Sequence, residues 1–255
     1  MDLFNLKGTT SVVVGGNGVL GSAMASALAA YGSKVAIVGR NMEKAEAVKQ
    51  KIEQQGGEVI CLKADAANKQ DMQNVLEEVL RWSGRVDTLV NASGINSSTP
   101  FFELDMEEWD RIMDTNLKSV VIACQIFGKQ MIEQGEGGSI INISSVSSGP
   151  PLSRVFTYSA SKAGVNSVTQ FLAREFAPYR VRVNAIIPGF FPAEQNRKIL
   201  DASRIEAIMR HTPYGRFGEP EELQGAVVYL ASSRASGFVT GTFLRVDGGF
   251  GAMTI

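Results

Sequence analysis

Several things are scarce in this chain, and each scarcity removes a class of function. Only two cysteines occur in 255 residues, Cys61 and Cys124, too few and too far apart for a disulfide framework. Cys61 falls in a strand-like run and Cys124 in an apolar helical one, so both read as buried thiols. There is one histidine, His211. With two separated cysteines it makes no transition-metal site. With no nucleophile-elbow motif near it, it makes no Ser-His-Asp hydrolase. No apolar run approaches the ~18 residues of a membrane span. The opening Met1-Asp2-Leu3 has neither the basic start nor the long apolar stretch of a signal peptide. Charge of either sign is not in excess: 25 Lys and Arg face 26 Asp and Glu, a net −1. Nothing here calls for nucleic acid or an anionic membrane surface. No Pro-, Gly- or Ser-rich linker divides the chain, so residues 1–255 are expected to form one domain. The exclusions leave a cytoplasmic protein that handles a small molecule.

What the chain has is alternation. Apolar, β-branched runs predict strands near 10–15, 34–39, 57–63, 86–91, 138–144, 181–187 and 241–246. Helical patterns fall near 18–31, 41–55, 68–83, 105–134, 156–177 and 219–232. This is βαβ repetition: an α/β, Rossmann-like, doubly wound parallel sheet of about seven strands. Ligands in such sheets bind at the carboxyl ends of the strands. Gly15, Gly39, Asp65, Asn91, Ser145 and Pro188 all fall there. Residues 190–215 interrupt the alternation with a short helix expected between Glu194 and His211, in the place of a lid over a substrate.

Two constellations carry chemistry. After the first strand comes Gly15-Gly16-Asn17-Gly18-Val19-Leu20-Gly21, then an Ala-rich helix. Glycines let backbone approach a pyrophosphate, and the helix start offers free N–H groups. The spacing is not G-x-G-x-x-G. Far downstream, Tyr158 and Lys162 stand four apart on one helix face. A protonated lysine favours phenolate and is expected to pull the tyrosine downward. Such a phenol passes protons to a carbonyl or alcohol oxygen. Ser145, thirteen residues upstream of Tyr158, can donate a hydrogen bond to the same oxygen. Alone, Tyr-x-x-x-Lys is better read as a surface helix pair. With a nucleotide cradle at the other end of the chain it is read as a site.

These motifs, with Asn91-Ala92-Ser93-Gly94, Asp114-Thr115-Asn116-Leu117, Ile141-Asn142-Ile143-Ser144-Ser145, Arg182-Val183-Asn184-Ala185-Ile186-Ile187-Pro188-Gly189 and Val246-Asp247-Gly248-Gly249, resemble those of the short-chain dehydrogenase/reductase family over the whole length. Two departures are visible: Val14 replaces the family's Thr, and Val19 its middle Gly. The resemblance implies Tyr158 as general acid/base and Lys162 as its partner and ribose ligand. It implies Ser145 as the carbonyl-polarising group and Asn116 as holder of a water beside the lysine. It implies a nicotinamide cofactor against Gly15, Asn17, Gly18, Leu20, Gly21, Arg40, Asp65, Ala66, Asn91, Ala92, Pro188, Gly189 and Phe191. The family often has a Thr five residues after that Pro; here the position is Ala193.

Val38-Gly39-Arg40-Asn41 has no acid for a ribose 2′-hydroxyl and one arginine for a 2′-phosphate, so NADP(H) is expected over NAD(H). Arg154 and Arg197 stand on either side of Tyr158 in sequence, and either can fork onto a substrate carboxylate. Glu194-Gln195-Asn196-Arg197 resembles a sugar-acid branch of the family that includes mannonate oxidoreductases and gluconate 5-dehydrogenases. The leading reading is an oxidoreductase acting on a ketohexuronate or keto-aldonate. The alternatives are a 3-oxoacyl-thioester or general carbonyl reductase and, in another class, a catalytically silent cofactor-binding regulator. Apolar residues on more than one face of helices 105–134 and 156–177 predict a homotetramer. His211 is assigned mainly to packing.

Overall fold

The computed structural model describes residues 2–191 and 201–253. Seven strands form one parallel sheet: β1 Thr10–Val14, β2 Lys34–Gly39, β3 Val59–Lys63, β4 Thr88–Asn91, β5 Gly138–Ile143, β6 Val181–Pro188 and β7 Phe243–Val246. Their spatial order is β3-β2-β1-β4-β5-β6-β7. The order reverses between β1 and β4, whose register pairs Val14 with Asn91. A crevice at the carboxyl ends of the strands follows from that reversal.

The sheet is covered on both faces, which is why its central strands are continuous apolar runs rather than alternating ones. All five residues of β1 are buried. Val13 joins one core, with α1 Val19–Ala30, α2 Met42–Gln54 and α8 Gln224–Ala231. Val12 and Val14 join the other, with α3 Lys69–Ser83, α5 Ser119–Gln134 and α6 Phe156–Phe176. Successive side chains of a strand point to opposite faces, so one short run feeds two cores. The Ala-rich α1 buries seven of its twelve residues and packs close against both sheet and α8.

Three expectations change in the fold. Residues 105–134 are not one helix. They are α4 Met106–Met113, a π turn at Asp114–Lys118 and then α5. The segment from 219 begins as a 3₁₀ turn, Pro220–Leu223, before α8. Proline at that first position suits a helix start. Cys61 is only half-buried, because β3 is the sheet's edge strand, whereas Cys124 is buried. Burial pushes their thiols up to about 11 and about 12 respectively. Two short helices complete the chain, α7 Ala202–His211 and α9 Ser233–Ser236. Among the described residues no helix is long and apolar enough to cross a membrane.

Candidate active site

A cleft of about 810 Å³ opens along the strand ends, from Arg40 and Asp65 at one end to Leu152, Val155 and Arg204 at the other. Its floor begins at the glycine turn. Gly15 has φ of 82°, and a Cβ there would stand 2.7 Å from the Ser93 nitrogen and 2.8 Å from the Ala92 carbonyl carbon. A Cβ on Gly21 would collide with the Gly15 carbonyl oxygen and stand 2.8 Å from the Gly15 carbonyl carbon. Gly18 caps α1 with no side-chain bond to its first N–H groups, so those donors face the cleft's anion position. Val14 is buried in β1, and Val19 becomes the first helical residue at the cleft mouth, 41% exposed. Both departures from the family pattern are thus accommodated without filling the cradle. The cradle fits a dinucleotide pyrophosphate.

Beyond the cradle, Gly39, Arg40, Asn41 and Lys44 form the wall. The Asn17 side chain lies over Gly39, where a Cβ would collide with Asn17 Oδ1 and stand 2.7 Å from Asn17 Cγ. Asn17 also donates through Nδ2 to the Asn41 carbonyl at 3.1 Å. Arg40 is exposed at this rim. Asp65 holds its own turn, accepting from the Ala67 N–H at 3.0 Å, and Ala66 lines the cleft beside it. Asn91 turns away from the cleft: its amide donates to Asn142 Oδ1 at 2.9 Å, and Asn142 in turn donates to Thr169 on α6. Ala92, Ser93 and Gly94 are the residues of that segment that line the cleft.

At the centre, β5 delivers Ser145 and α6 delivers Tyr158 and Lys162. Ser145 Oγ accepts from the Ser147 N–H at 3.2 Å and from Ser147 Oγ at 3.1 Å. With its acceptor side occupied twice, its own proton is left to donate. Lys162 is buried and donates from Nζ to the Ile143 carbonyl at 2.8 Å. The same Nζ is 5.6 Å from the Tyr158 ring centroid. Burial lowers Lys162 to about 8. Withdrawal of its hydroxyl end from water pushes Tyr158 upward, and hydrogen bonding to Ser145 pulls the other way. The direction at Tyr158 is upward, where the sequence led to a lowered phenol, because loss of solvent around the hydroxyl is the largest influence on it.

Asn116 sits in the π turn, fully buried. Its side chain closes onto Ile95, accepting from the N–H at 2.8 Å and donating to the carbonyl at 2.9 Å, and also donates to Ser161 Oγ. A Cβ at Gly94 would lie 3.5 Å from Asn116 Oδ1 and 3.6 Å from Lys162 Nζ, so the two side chains flank one bare stretch of backbone. π turns recur at functional sites because they turn one residue inward.

Pro188, Gly189, Phe190 and Phe191 line the cleft beyond β6. The Gly189 N–H donates to Val246, which ties this turn to β7. Arg154 is outside the cleft wall, in a left-handed conformation with φ of 69°. It makes a 2.6 Å ion pair with Asp201. Arg197, Ala193 and the Glu194–Arg197 run lie outside the described residues. His211 packs edge-on against Phe250 at 4.6 Å and is not part of the cleft wall. Several cleft residues were not foreseen from the sequence, Lys44, Ser147 and Arg204 among them. Ser147 was signalled by the hydroxyl-rich run Ser144 to Ser148. Arg204 had no signal, being one basic residue among several in an amphipathic helix. Among the described residues no cluster of His, Cys, Asp and Glu is arranged to hold a metal.

A family model described as enoyl-(acyl carrier protein) reductase matches residues 16–251. An uncharacterized oxidoreductase, UxuB, of Bacillus subtilis is 39% identical, with 96% of each chain covered. The 2-dehydro-3-deoxy-D-gluconate 5-dehydrogenase of Dickeya dadantii is 37% identical over 98% of each chain. Among solved structures, a gluconate 5-dehydrogenase from Burkholderia cenocepacia, in complex with NADP and tartrate, superposes with a TM-score of 0.94 at 33% identity, covering 99% of each chain.

Proposed function

Since the chain belongs to the short-chain dehydrogenase/reductase family, we propose that it interconverts a ketone and a secondary alcohol on a sugar acid, using NADP(H). The observation that carries this is the convergence of Ser145, Tyr158 and Lys162 in one cleft with the Gly15–Gly21 cradle. A nicotinamide cofactor held along this cleft would supply or accept the hydride. In reduction, Ser145 donates a hydrogen bond to the carbonyl oxygen as it gains charge. Tyr158 gives its phenolic proton to that oxygen, which stays on its carbon as the hydroxyl of the alcohol. Lys162 then stabilises the phenolate and binds the ribose hydroxyls, and Asn116 holds a water between the lysine and solvent. In oxidation each proton step runs backwards.

The sugar-acid reading rests on relatives named for gluconate derivatives and on the tartrate held by one of them. Of the described residues lining the cleft, four are cations (Arg40, Lys44, Lys162 and Arg204) and Asp65 is the one carboxylate. That balance suits an anionic cofactor and an anionic substrate. NADP(H) is favoured over NAD(H) by Arg40 and by the missing acid at Gly39. Arg154 acts at the rim, anchoring α7 through Asp201. The test is turnover followed by nicotinamide absorbance across aldonates, ketohexuronates and neutral ketones, with wild type and Tyr158→Phe. Turnover of sugar acids by wild type, lost in the variant while nucleotide still binds, is the expected result. A Phe variant within tenfold of wild type would sink the assignment.

The protein works as a homo-oligomer, a tetramer in this reading, in a reducing cytoplasm that suits its two free thiols. The support is exposed aromatic surface. Phe101, Phe102 and Phe156 are 61%, 99% and 44% exposed, and they stack with one another and with Trp109. Phe171 is 57% exposed on α6. Contiguous apolar patches on soluble proteins mark interfaces. Light scattering at micromolar concentration decides it, and a monomer refutes it.

A further inference from the structure

Arg204 is the cation that the substrate half of the cleft leaves unspent. It stands in the first turn of α7 and lines the cleft with Leu152, Val155 and Tyr158. Two of its five donors are committed: Nη1 to Ser153 Oγ at 2.9 Å and Nη2 to the Ser153 carbonyl at 2.8 Å. Ser153 lies in the segment between Ser145 and Tyr158, so this clamp holds the guanidinium over the loop that carries the reacting groups. The Nε–H is buried and has no partner among the described residues. A buried donor on a cation is costly to leave unmade, and in a native structure it calls for an explanation.

The neighbouring charges sharpen the point. Among the described residues Asp201 is the acid that acts on Arg204, and its oxygens are occupied by Arg154 Nη1, the Ser203 hydroxyl and the Arg204 backbone N–H. Arg154 and Asp201 cancel, and Arg204 remains as net positive charge. Burial and the Arg154 charge push its guanidinium below the ordinary arginine range, with Asp201 opposing. Each of these penalties is relieved by an anion. The Nε–H and the remaining Nη2 hydrogen form one edge of a planar fork, which matches the two oxygens of a carboxylate.

We propose that Arg204, held by Ser153, is the residue that reads the substrate's carboxylate, and that the Arg154–Asp201 pair serves to place it. This rests on the sugar-acid reading above. It assigns to α7 the discrimination between an acid and the corresponding neutral sugar.

The experiment measures kcat/KM on a keto-aldonate and on the ketose in which a CH₂OH replaces the carboxylate, for wild type, Arg204→Met, Arg204→Lys and Arg154→Met. Loss of charge-assisted bonds to Arg204 should cost the acid about 10- to 150-fold in Arg204→Met, and the neutral ketose much less. Arg204→Lys should recover only part of the loss, because a point charge does not reproduce the fork. Arg154→Met acts only through Arg204, so it should cost the acid a smaller part of the same loss and leave the neutral ketose little changed. Nucleotide affinity and thermal midpoint, measured for each variant, identify any loss that comes from folding. Arg204→Gln replaces Arg204→Met if the latter is unfolded, and the same ratio is read from it. A wild type that does not prefer the acid sinks the sugar-acid reading itself. A wild type that prefers it, with the preference intact in Arg204→Met or Arg204→Gln, overturns the assignment to Arg204 alone.

Discussion

Lys162 donates to the Ile143 carbonyl at 2.8 Å, so the amine is fixed at the end of the strand that leads into Ser145. The position serves the reaction and burdens the fold. Lys162 falls from the ordinary 10.5 to about 8 through burial, which corresponds to about 3 kcal/mol. The sign follows from proton counts. Between about 8 and 10.5 the unfolded chain binds more protons, so this group's contribution to stability rises with pH. Its penalty is full below about 8 and fades above.

Lys162→Met is therefore expected to be inactive yet more stable than wild type at pH 7. The gain should be about 1–2 kcal/mol after allowing for the lost bond to Ile143. Denaturant titrations of the nucleotide-free proteins check it. The gap must narrow as pH rises from about 7 to about 9.5. A variant less stable than wild type at neutral pH, or a gap indifferent to pH, contradicts the account.

Ser147→Ala removes a hydroxyl that donates to Ser145 Oγ at 3.1 Å and leaves the backbone donor in place. Loss of one such bond, about 1 kcal/mol, should lower kcat about fivefold with KM little changed. Ser147→Thr should restore most of it. Equal loss in both variants points to packing instead of orientation of Ser145.

Gly21→Ala and Gly18→Ala separate the two halves of the cradle. The first places a methyl against the Gly15 carbonyl, whereas the second meets only the Gly15 oxygen, at 3.3 Å. Nucleotide affinity is expected to fall at least about tenfold for Gly21→Ala and clearly less for Gly18→Ala. Fluorescence titration with NADPH measures both. Similar losses would mean that close backbone approach at Gly21 is not what admits the cofactor.

Arg40→Ala should weaken NADP(H) by about 10- to 150-fold, the value of a lost charge-assisted contact, and leave NAD(H) within about threefold. Steady-state kinetics with both cofactors decide it. Unchanged NADP(H) kinetics would assign the 2′-phosphate to other groups.

The strands were legible because each is a short apolar run bounded by Gly, Asn or Asp, and the strand ends aligned the site residues in space. The break at Asn116 was not. Val120, Ile122 and Phe127 keep the apolar pattern running past Asp114–Lys118, and the π turn is set by Asn116 reaching Ile95, a contact 21 residues away in sequence. The upward push on Tyr158 was equally invisible, since burial is a property of the assembled cleft. Arg154 was read from its place between Ser145 and Tyr158, and Arg197, outside the described residues, from its place just after the Pro188–Phe191 loop. Arg154 instead pairs with Asp201, 47 residues on, and the cleft wall receives Arg204.

The Asn17 side chain folded over Gly39 has an evolutionary consequence. Acquiring a carboxylate at position 39, the simplest route to a preference for the unphosphorylated cofactor, puts a side chain into space that Asn17 already fills. Position 17 would have to shrink first, and doing so removes its bond to the Asn41 carbonyl before any new contact has been gained. The two sites are coupled, so neither change alone is an improvement. A lineage carrying this pair drifts toward the other nucleotide only by way of a poorer enzyme.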